Sequence, residues 1–397
     1  MENNYMVSIE EAMKTVDANV SITTKTVNIP LYKGINRFLS EDVKSPINMP
    51  PFNQSAMDGY AVNYDDSHQN NFILRDEIKA GDNKNTILKA GEAVRIFTGA
   101  PTPTTANAVI MQEKTSVENN ILTINDSLTH FKNIRPEGEQ ILKNTIALSQ
   151  GTPLNAAAIG FLATLGFTTI PVYRKPKITI VVTGNELVTP GETLAHGQIY
   201  ESNAIMLQTA LAAKGFAKTD VLKVKDDYNA TKDSLDKAIK NSDFVFISGG
   251  ISVGDYDFVG KALLELNTQQ HFYKIKQKPG KPLFYGTNNN TQIFALPGNP
   301  ASALTCFYIY IETALQKFIG NKNYAITTEQ IPLATSYHKK GIRGEFLKGK
   351  IENNKVFILE NQSSAMLNSY AQANALIYIK EDKEFTQENS LVTVFRI

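Results

Sequence analysis

Hydrophobic and polar positions follow their most regular rhythm between residues 177 and 319, where short apolar blocks alternate with amphipathic stretches. Residues 178–182, 219–224 and 244–247 predict strands. The last is wholly apolar, which suits a strand buried on both faces. Helical periodicity predicts helices over 203–214, capped by Ser202 or Asn203 and stopped at Gly215, over 231–240, and over 255–266 with an acidic start. Residues 282–285 and 292–296 predict a hairpin over 287–291, and 300–319 a long apolar helix. This alternation predicts a doubly wound α/β sheet.

Outside that region the pattern is shorter-ranged. Residues 8–20 predict a helix with Ser8 as N-cap and Glu10 and Glu11 in its first turn. Residues 24–31 alternate like a strand. Pro46, Pro50 and Pro51 make 42–51 an extended arm or linker. Residues 52–62 read as a structured loop entering a strand, and 72–113 as β-structure punctuated by Gly81, Gly91 and Gly99. Strands are expected at 93–97 and 108–112. A hairpin is expected to pair 114–117 with 121–124 across Glu118, Asn119 and Asn120. Arg135-Pro-Glu-Gly138 marks a boundary, and 155–165 predicts a helix ending at Gly166. From 327 onward short strands return at 356–359, 375–379 and 391–395, the pattern of a small β-domain.

At 397 residues the chain is too long for one core, and two to four domains are expected. A net charge of +1 gives no support for nucleic-acid binding through bulk charge. The single cysteine, Cys306, allows no internal disulfide and fits a reducing cytosol; its apolar helical surroundings read as core. The polar first eleven residues do not resemble a signal peptide. No apolar run approaches a membrane span, so a soluble cytoplasmic protein without membrane contact is expected. Five scattered histidines argue against zinc.

In an open α/β sheet, ligands bind outside the carboxyl ends of the strands. Those ends carry unusual residues here: Thr183-Gly-Asn-Glu-Leu187, Asp226-Asp227, Ser248-Gly-Gly-Ile-Ser-Val-Gly-Asp-Tyr-Asp257, and Leu296-Pro-Gly-Asn-Pro300. Pro300 stands where a helix begins. Between the last two lies the basic run Lys274-Ile-Lys-Gln-Lys-Pro-Gly-Lys-Pro282. Taken singly, each has an ordinary reading: a βα turn for Gly249-Gly250, a loop acid for Glu186, a polar turn for Asp226 and Asp227, a solvated loop for the lysines. Together they place metal-binding carboxylates, the amides of two helix N-termini and several cations on one rim. That combination suits a nucleotide or another phosphorylated ligand.

Seven motifs, in order, resemble the molybdopterin molybdenumtransferase family, the bacterial MoeA family to which the E domain of gephyrin also belongs. They are Ser55-Ala-Met-Asp-Gly-Tyr-Ala61, Thr98-Gly-Ala-Pro101, Arg135-Pro-Glu-Gly-Glu139, the Thr183 and Ser248 strings above, Lys278-Pro-Gly-Lys-Pro282 and Leu296-Pro-Gly-Asn-Pro-Ala-Ser302. The resemblance covers essentially the whole chain. It implies a discontinuous elongated domain (1–51 and 136–173), a β-rich domain (52–135), an α/β molybdopterin-binding domain similar to MoaB and MogA (174–326), and a C-terminal β-barrel-like domain (327–397). It implies a homodimer with shared active sites, and transient contact with a molybdopterin adenylyltransferase. The implied reaction inserts molybdate into adenylyl-molybdopterin with release of AMP, assisted by Mg2+. The alternatives are molybdopterin adenylylation and a non-catalytic molybdopterin- or peptide-binding scaffold; the motifs before 140 and after 327 favour insertion over adenylylation, and the retained acids and lysines favour an enzyme over a scaffold.

Residue by residue, the expected phosphate cradle is Ser248, Gly249, Gly250 and Ser252. Glu186 and Asp257 are the expected metal or nucleotide acids, with Asp226 a weaker candidate. Lys274, Lys278 and Lys281 suit phosphate or molybdate as compact point charges. Pro297, Asn299 and Pro300 resemble the family's molybdate-pocket turn, and Arg343 and Ser364 its further anion contacts. Asp58 and Thr98 would reach the site from the other subunit. The chain departs from the family pattern at Gln140 and Asn185, where many members carry Asp, and at Thr104-Thr105-Ala106-Asn107, which replaces a more usual Gly-Ala-Asp.

Overall fold

The structure is a computed structural model that describes residues 5–65, 67, 70–84, 86–251 and 258–397. The chain forms two compact units. One holds the described residues up to 27, 36–38 and 173–397; the other holds 28–35 and 39–172.

The second unit is built on a six-stranded sheet in the spatial order Ala108–Met111, Gly59–Asn63, Glu92–Ile96, Asn71–Ile78, Ile121–Ile124, Thr115–Glu118. The hairpin that closes it turns on two residues rather than the expected three: Glu118 pairs with Ile121, and Asn119 and Asn120 both adopt positive φ. Asparagine tolerates that conformation, and a two-residue turn of this hand matches the twist of the strands. Asn107 of the divergent loop has a structural role: its side chain accepts from the Tyr64 amide and donates to the Tyr64 carbonyl.

In the first unit the alternation beyond 177 becomes β1 (Ile178–Thr183), α1 (Asn203–Ala213), β2 (Thr219–Val224), α2 (Tyr228–Asn241), β3 (Phe244–Ser248), α3 (Phe258–Glu265), β4 (Gln269–Lys274), β5 (Pro282–Asn288), β6 (Thr291–Leu296) and α4 (Pro300–Cys306). The sheet order is β2-β1-β3-β6-β5-β4. The first four strands run parallel, and β5 and β4 pair antiparallel at one edge. Successive residues of the apolar strands serve opposite faces. Ile180, Val182, Phe244 and Phe246 pack with α1, the helix Ile9–Asn19 and the segment from Ala301 to Phe318. Val181, Val245 and Ile247 pack with α2 and α3. Helix Ile9–Asn19, capped by the reciprocal Ser8–Glu11 box, therefore belongs to this core. Its Ile9, Ala12 and Val16 have apolar partners here. From α4 the chain continues through a π-helical turn (Phe307–Ile311) into Glu312–Phe318.

The C-terminal strands Thr328–Pro332, Leu391–Arg396, Ala375–Ile379, Gly344–Glu352 and Lys355–Ile358 pair in that order. A bridge from Leu333 to Val356 joins the ends, giving the β-barrel-like form the sequence implied. The short strand Gln277–Lys278 adds to the same sheet, parallel to Gly344–Glu352.

Candidate active site

A cleft of about 820 Å³ opens at the carboxyl ends of β1, β3 and β6. Its floor includes Thr183, Ser248, Gly249, Pro297, Asn299 and Pro300, and its walls Glu186, Lys278, Lys281, Arg343 and Ser364. Ten of the residues singled out from sequence thus meet in one place.

The Gly249 turn is dictated by space. Its φ is +91°, and a Cβ there would lie 2.1 Å from the Thr183 carbonyl oxygen. Gly250, at φ +65°, would bring a Cβ to 2.7 Å from Val259 Cγ2. Only glycine lets β3 turn this tightly beside β1. Ser248 is buried; its hydroxyl accepts from Asn203 Nδ2 at 2.8 Å, and the same nitrogen donates to the Gly298 carbonyl at 2.8 Å. Asn203, at the start of α1, therefore ties the β3 and β6 turns together. The sequence pattern marks it only as a helix cap. Ser252 and Asp257 lie outside the described residues.

The helix amides expected to bind the ligand are not free at α4. Ala301 and Ser302 N–H groups donate to the Ser364 carbonyl at 3.1 and 3.3 Å, and Asn299 Nδ2 donates to Ser364 Oγ at 3.0 Å. Ser364 thus acts first as the cap of this helix, satisfying amides that would otherwise lack partners.

The cations divide by partner. Lys278 Nζ lies 2.8 Å from Glu345 Oε1, and the Glu345 side chain is 1 % exposed and also accepts from Tyr337. Its charge is therefore largely offset within the protein. Among the described residues Lys281 forms no ion pair and the Arg343 side chain donates only to the Gln277 carbonyl, at 3.0 Å. These two, not Lys278, present net positive charge to the cleft. Lys274 lies on β4 and is not among the lining residues. Beneath this wall Gln277 is fully buried; it donates to the Pro279 carbonyl and accepts from Tyr310 at 2.6 Å. Cys306 lies against it, and burial pushes the thiol up to about 12, as befits a core residue.

The acids also divide. Both carboxylate oxygens of Asp226 are engaged: Thr183 Oγ1 donates at 2.5 Å and the Asn185 amide at 3.1 Å. Asn185 Oδ1 accepts the Asp226 amide in return, at 3.1 Å. Asp226 thus clasps two βα loops, and Asn185 at the divergent position completes the clasp. Asp227 caps α2, accepting the Ala230 amide at 2.8 Å, which starts that helix at Tyr228 rather than Thr231. Glu186 is exposed, makes no ion pair among the described residues, and faces both the main cleft and an adjoining hollow lined by Asp226 and Gly250. Among the described residues no three carboxylate, histidine or cysteine side chains cluster as a metal cage. Magnesium does not need one: it retains several waters and binds through one or two carboxylates. Glu186 fits that requirement.

In the other unit, Asp58 and Thr98 meet because Gly59 pairs with Ile96. Asp58 Oδ1 accepts from the Thr98 amide at 2.7 Å and the Thr98 hydroxyl at 2.8 Å. The hydrogen bond donated by the Thr98 backbone N–H is the main reason the carboxyl is held below its ordinary value, so it stays ionised. Arg95 lies over the Tyr60 and Phe97 rings beside it, 4.9 and 5.1 Å from their centroids.

Fold and cleft together define a multidomain α/β protein whose cleft, at the carboxyl edge of its sheet, is lined by the cationic side chains of Lys281 and Arg343. Residues 7–166 match the MoeA N-terminal region (domain I and II), 179–317 the family described as "Probable molybdopterin binding domain", and 330–397 the MoeA C-terminal region (domain IV). The chain belongs to the molybdopterin molybdenumtransferase family: it is 33% identical to the molybdopterin molybdenumtransferase of Haemophilus influenzae, over 98% of both chains. It is also 33% identical to the protein of that name from Nostoc sp., over 93% of this chain and 88% of the other. Among solved structures, the molybdopterin biosynthesis MoeA protein of Pyrococcus horikoshii superposes with a TM-score of 0.83 at 29% identity, covering 99% of this chain and all of that one. No helix among the described residues is long and apolar enough to cross a membrane.

Proposed function

We propose that this chain is a transferase of molybdenum cofactor biosynthesis that inserts molybdate into adenylyl-molybdopterin and releases AMP. The observation that carries this reading is the cleft itself: a glycine-forced turn and, among the described residues, two cations without acidic partners and one available carboxylate, at the edge of the sheet that matches the molybdopterin-binding family.

Molybdate is a dianion and the nucleotide carries several negative charges, so their approach must be offset electrostatically. Lys281 and Arg343 supply that charge at the cleft wall, and Lys278 contributes while anchored to Glu345. The turn at Ser248, Gly249 and Gly250 holds the phosphates through its amides, with Ser252. Pro297, Asn299 and Pro300 shape the molybdate end, with Ser364 beside them. In the reaction the two dithiolene sulfurs bind molybdenum while molybdate oxygen leaves as water with the two thiol protons, and a second water cleaves the phosphoanhydride, giving AMP and the terminal phosphate of the pterin. Glu186, with Asp257, would hold Mg2+, which offsets phosphate charge when bound. Asp58 and Thr98 act from the second subunit of a homodimer. The domain division given above, a cytoplasmic location and transient contact with an adenylyltransferase belong to the same reading.

Purified chain, adenylyl-molybdopterin, Mg2+ and molybdate should activate an apo-molybdoenzyme, and Asp257→Ala should abolish that activation. Equal activation by the variant would remove the acidic site from the account.

A further inference from the structure

Lys348 is 3 % exposed, yet no carboxylate pairs with it among the described residues. Its ammonium donates instead to three main-chain carbonyls, of Asn361 (2.7 Å), Ser363 (3.2 Å) and Met366 (3.1 Å). Three donors meet three acceptors, so the buried charge is fully hydrogen-bonded. The same residue's main chain holds the same loop: its amide donates to Gln362 Oε1 at 2.9 Å, and Gln362 Nε2 donates back to its carbonyl at 2.9 Å. Ser369 Oγ adds a further bond to the Asn361 carbonyl. The loop so gathered, residues 361–366, carries Gln362, Ser363 and Ser364 into the cleft wall, and places the Ser364 carbonyl over the first amides of α4.

We infer that Lys348 is a positioning residue for the anion end of the cleft, acting from behind the wall by fixing the 361–366 loop on strand Gly344–Glu352. Without the ammonium, the carbonyls of Asn361, Ser363 and Met366 lose their common donor, and the loop loses its centre. Ser364 then leaves the start of α4, and the molybdate end of the cleft loses its shape. Burial lowers the pKa of this lysine, in keeping with its distance from solvent. Lys348→Arg keeps the charge, but a planar guanidinium cannot converge on three carbonyls as an ammonium does.

This inference rests on the proposed molybdate reaction, and its test separates the two. Full-length wild type, Lys348→Met and Lys348→Arg are compared by calorimetric titration with molybdate and by amide hydrogen exchange. The expected result is molybdate binding weakened about tenfold or more in Lys348→Met, with Lys348→Arg between it and wild type. Exchange should speed up in 361–366 while the α/β strands stay protected. Unchanged exchange in that loop, or molybdate affinity within about twofold of wild type in a folded Lys348→Met, would overturn it. Failure of both variants to fold would also overturn it, making Lys348 a residue of the barrel core. If wild type itself binds no molybdate, the proposed function fails, and the exchange data still decide whether Lys348 sets the loop.

Discussion

Gly249 shows how far a single residue can constrain this site. A methyl group there would collide with the Thr183 carbonyl oxygen while the backbone sits at positive φ. Gly249→Ala is expected to lower stability by about 1–3 kcal/mol from the backbone conformation alone, read as a reduced denaturant midpoint, and to abolish ligand binding as the turn shifts. The two rim lysines make a sharper comparison. Lys281→Ala should weaken molybdate binding by about tenfold, or about 1.4 kcal/mol, with the unfolding midpoint unchanged. Lys278→Ala should also destabilise the fold, because it leaves the buried Glu345 without its cation. Lys278 is 46 % exposed, so the loss is about 1–2 kcal/mol, below the cost of breaking a fully buried pair. Equal stability of the two variants would mean that the Glu345 pair does not matter to folding.

At the scale of elements, legibility follows the locality of the forces involved. The strands Ile178–Thr183 and Phe244–Ser248 are legible because both faces are buried and the apolar run is unbroken. The edge strand Gln269–Lys274 is too polar to stand out, and Gly344–Glu352 hides behind two glycines and two lysines, one of which proves buried. Residues that meet in the cleft were found through the sheet-edge rule and family motifs. Their partners were not: Lys278 with Glu345, Ser364 with the start of α4 and Asp226 with Thr183 are contacts across 40 or more positions, for which a single sequence carries no signal. The α2 start was missed because a polar Tyr228-Asn-Ala230 follows its cap. Asp227→Ala is therefore expected to cost about 1 kcal/mol, measured by thermal or denaturant unfolding, without changing ligand affinity. A loss of affinity would return Asp227 to the binding site.

In the proposed homodimer, Asp58 and Thr98 would come from one subunit and the α/β cleft from the other. Asp58 with Thr98, and the α/β cleft, are each organised within their own unit. Shared sites in a homodimer have a simple consequence. At limiting molybdate, where each is weakly active alone, Asp58→Ala and Lys281→Ala should complement when mixed and allowed to exchange subunits. Random pairing would restore up to about a quarter of wild-type activity. No recovery, with subunit exchange verified, would place both motifs in the same subunit's site or remove Asp58 from it.

The measurement that tests the central claim most directly is AMP release from adenylyl-molybdopterin by the purified chain with Mg2+, followed as molybdate is titrated. The account predicts release that depends on molybdate, saturates, and needs more molybdate in Lys281→Ala. No release, with the same reagents active on a relative, or release indifferent to molybdate, would contradict it.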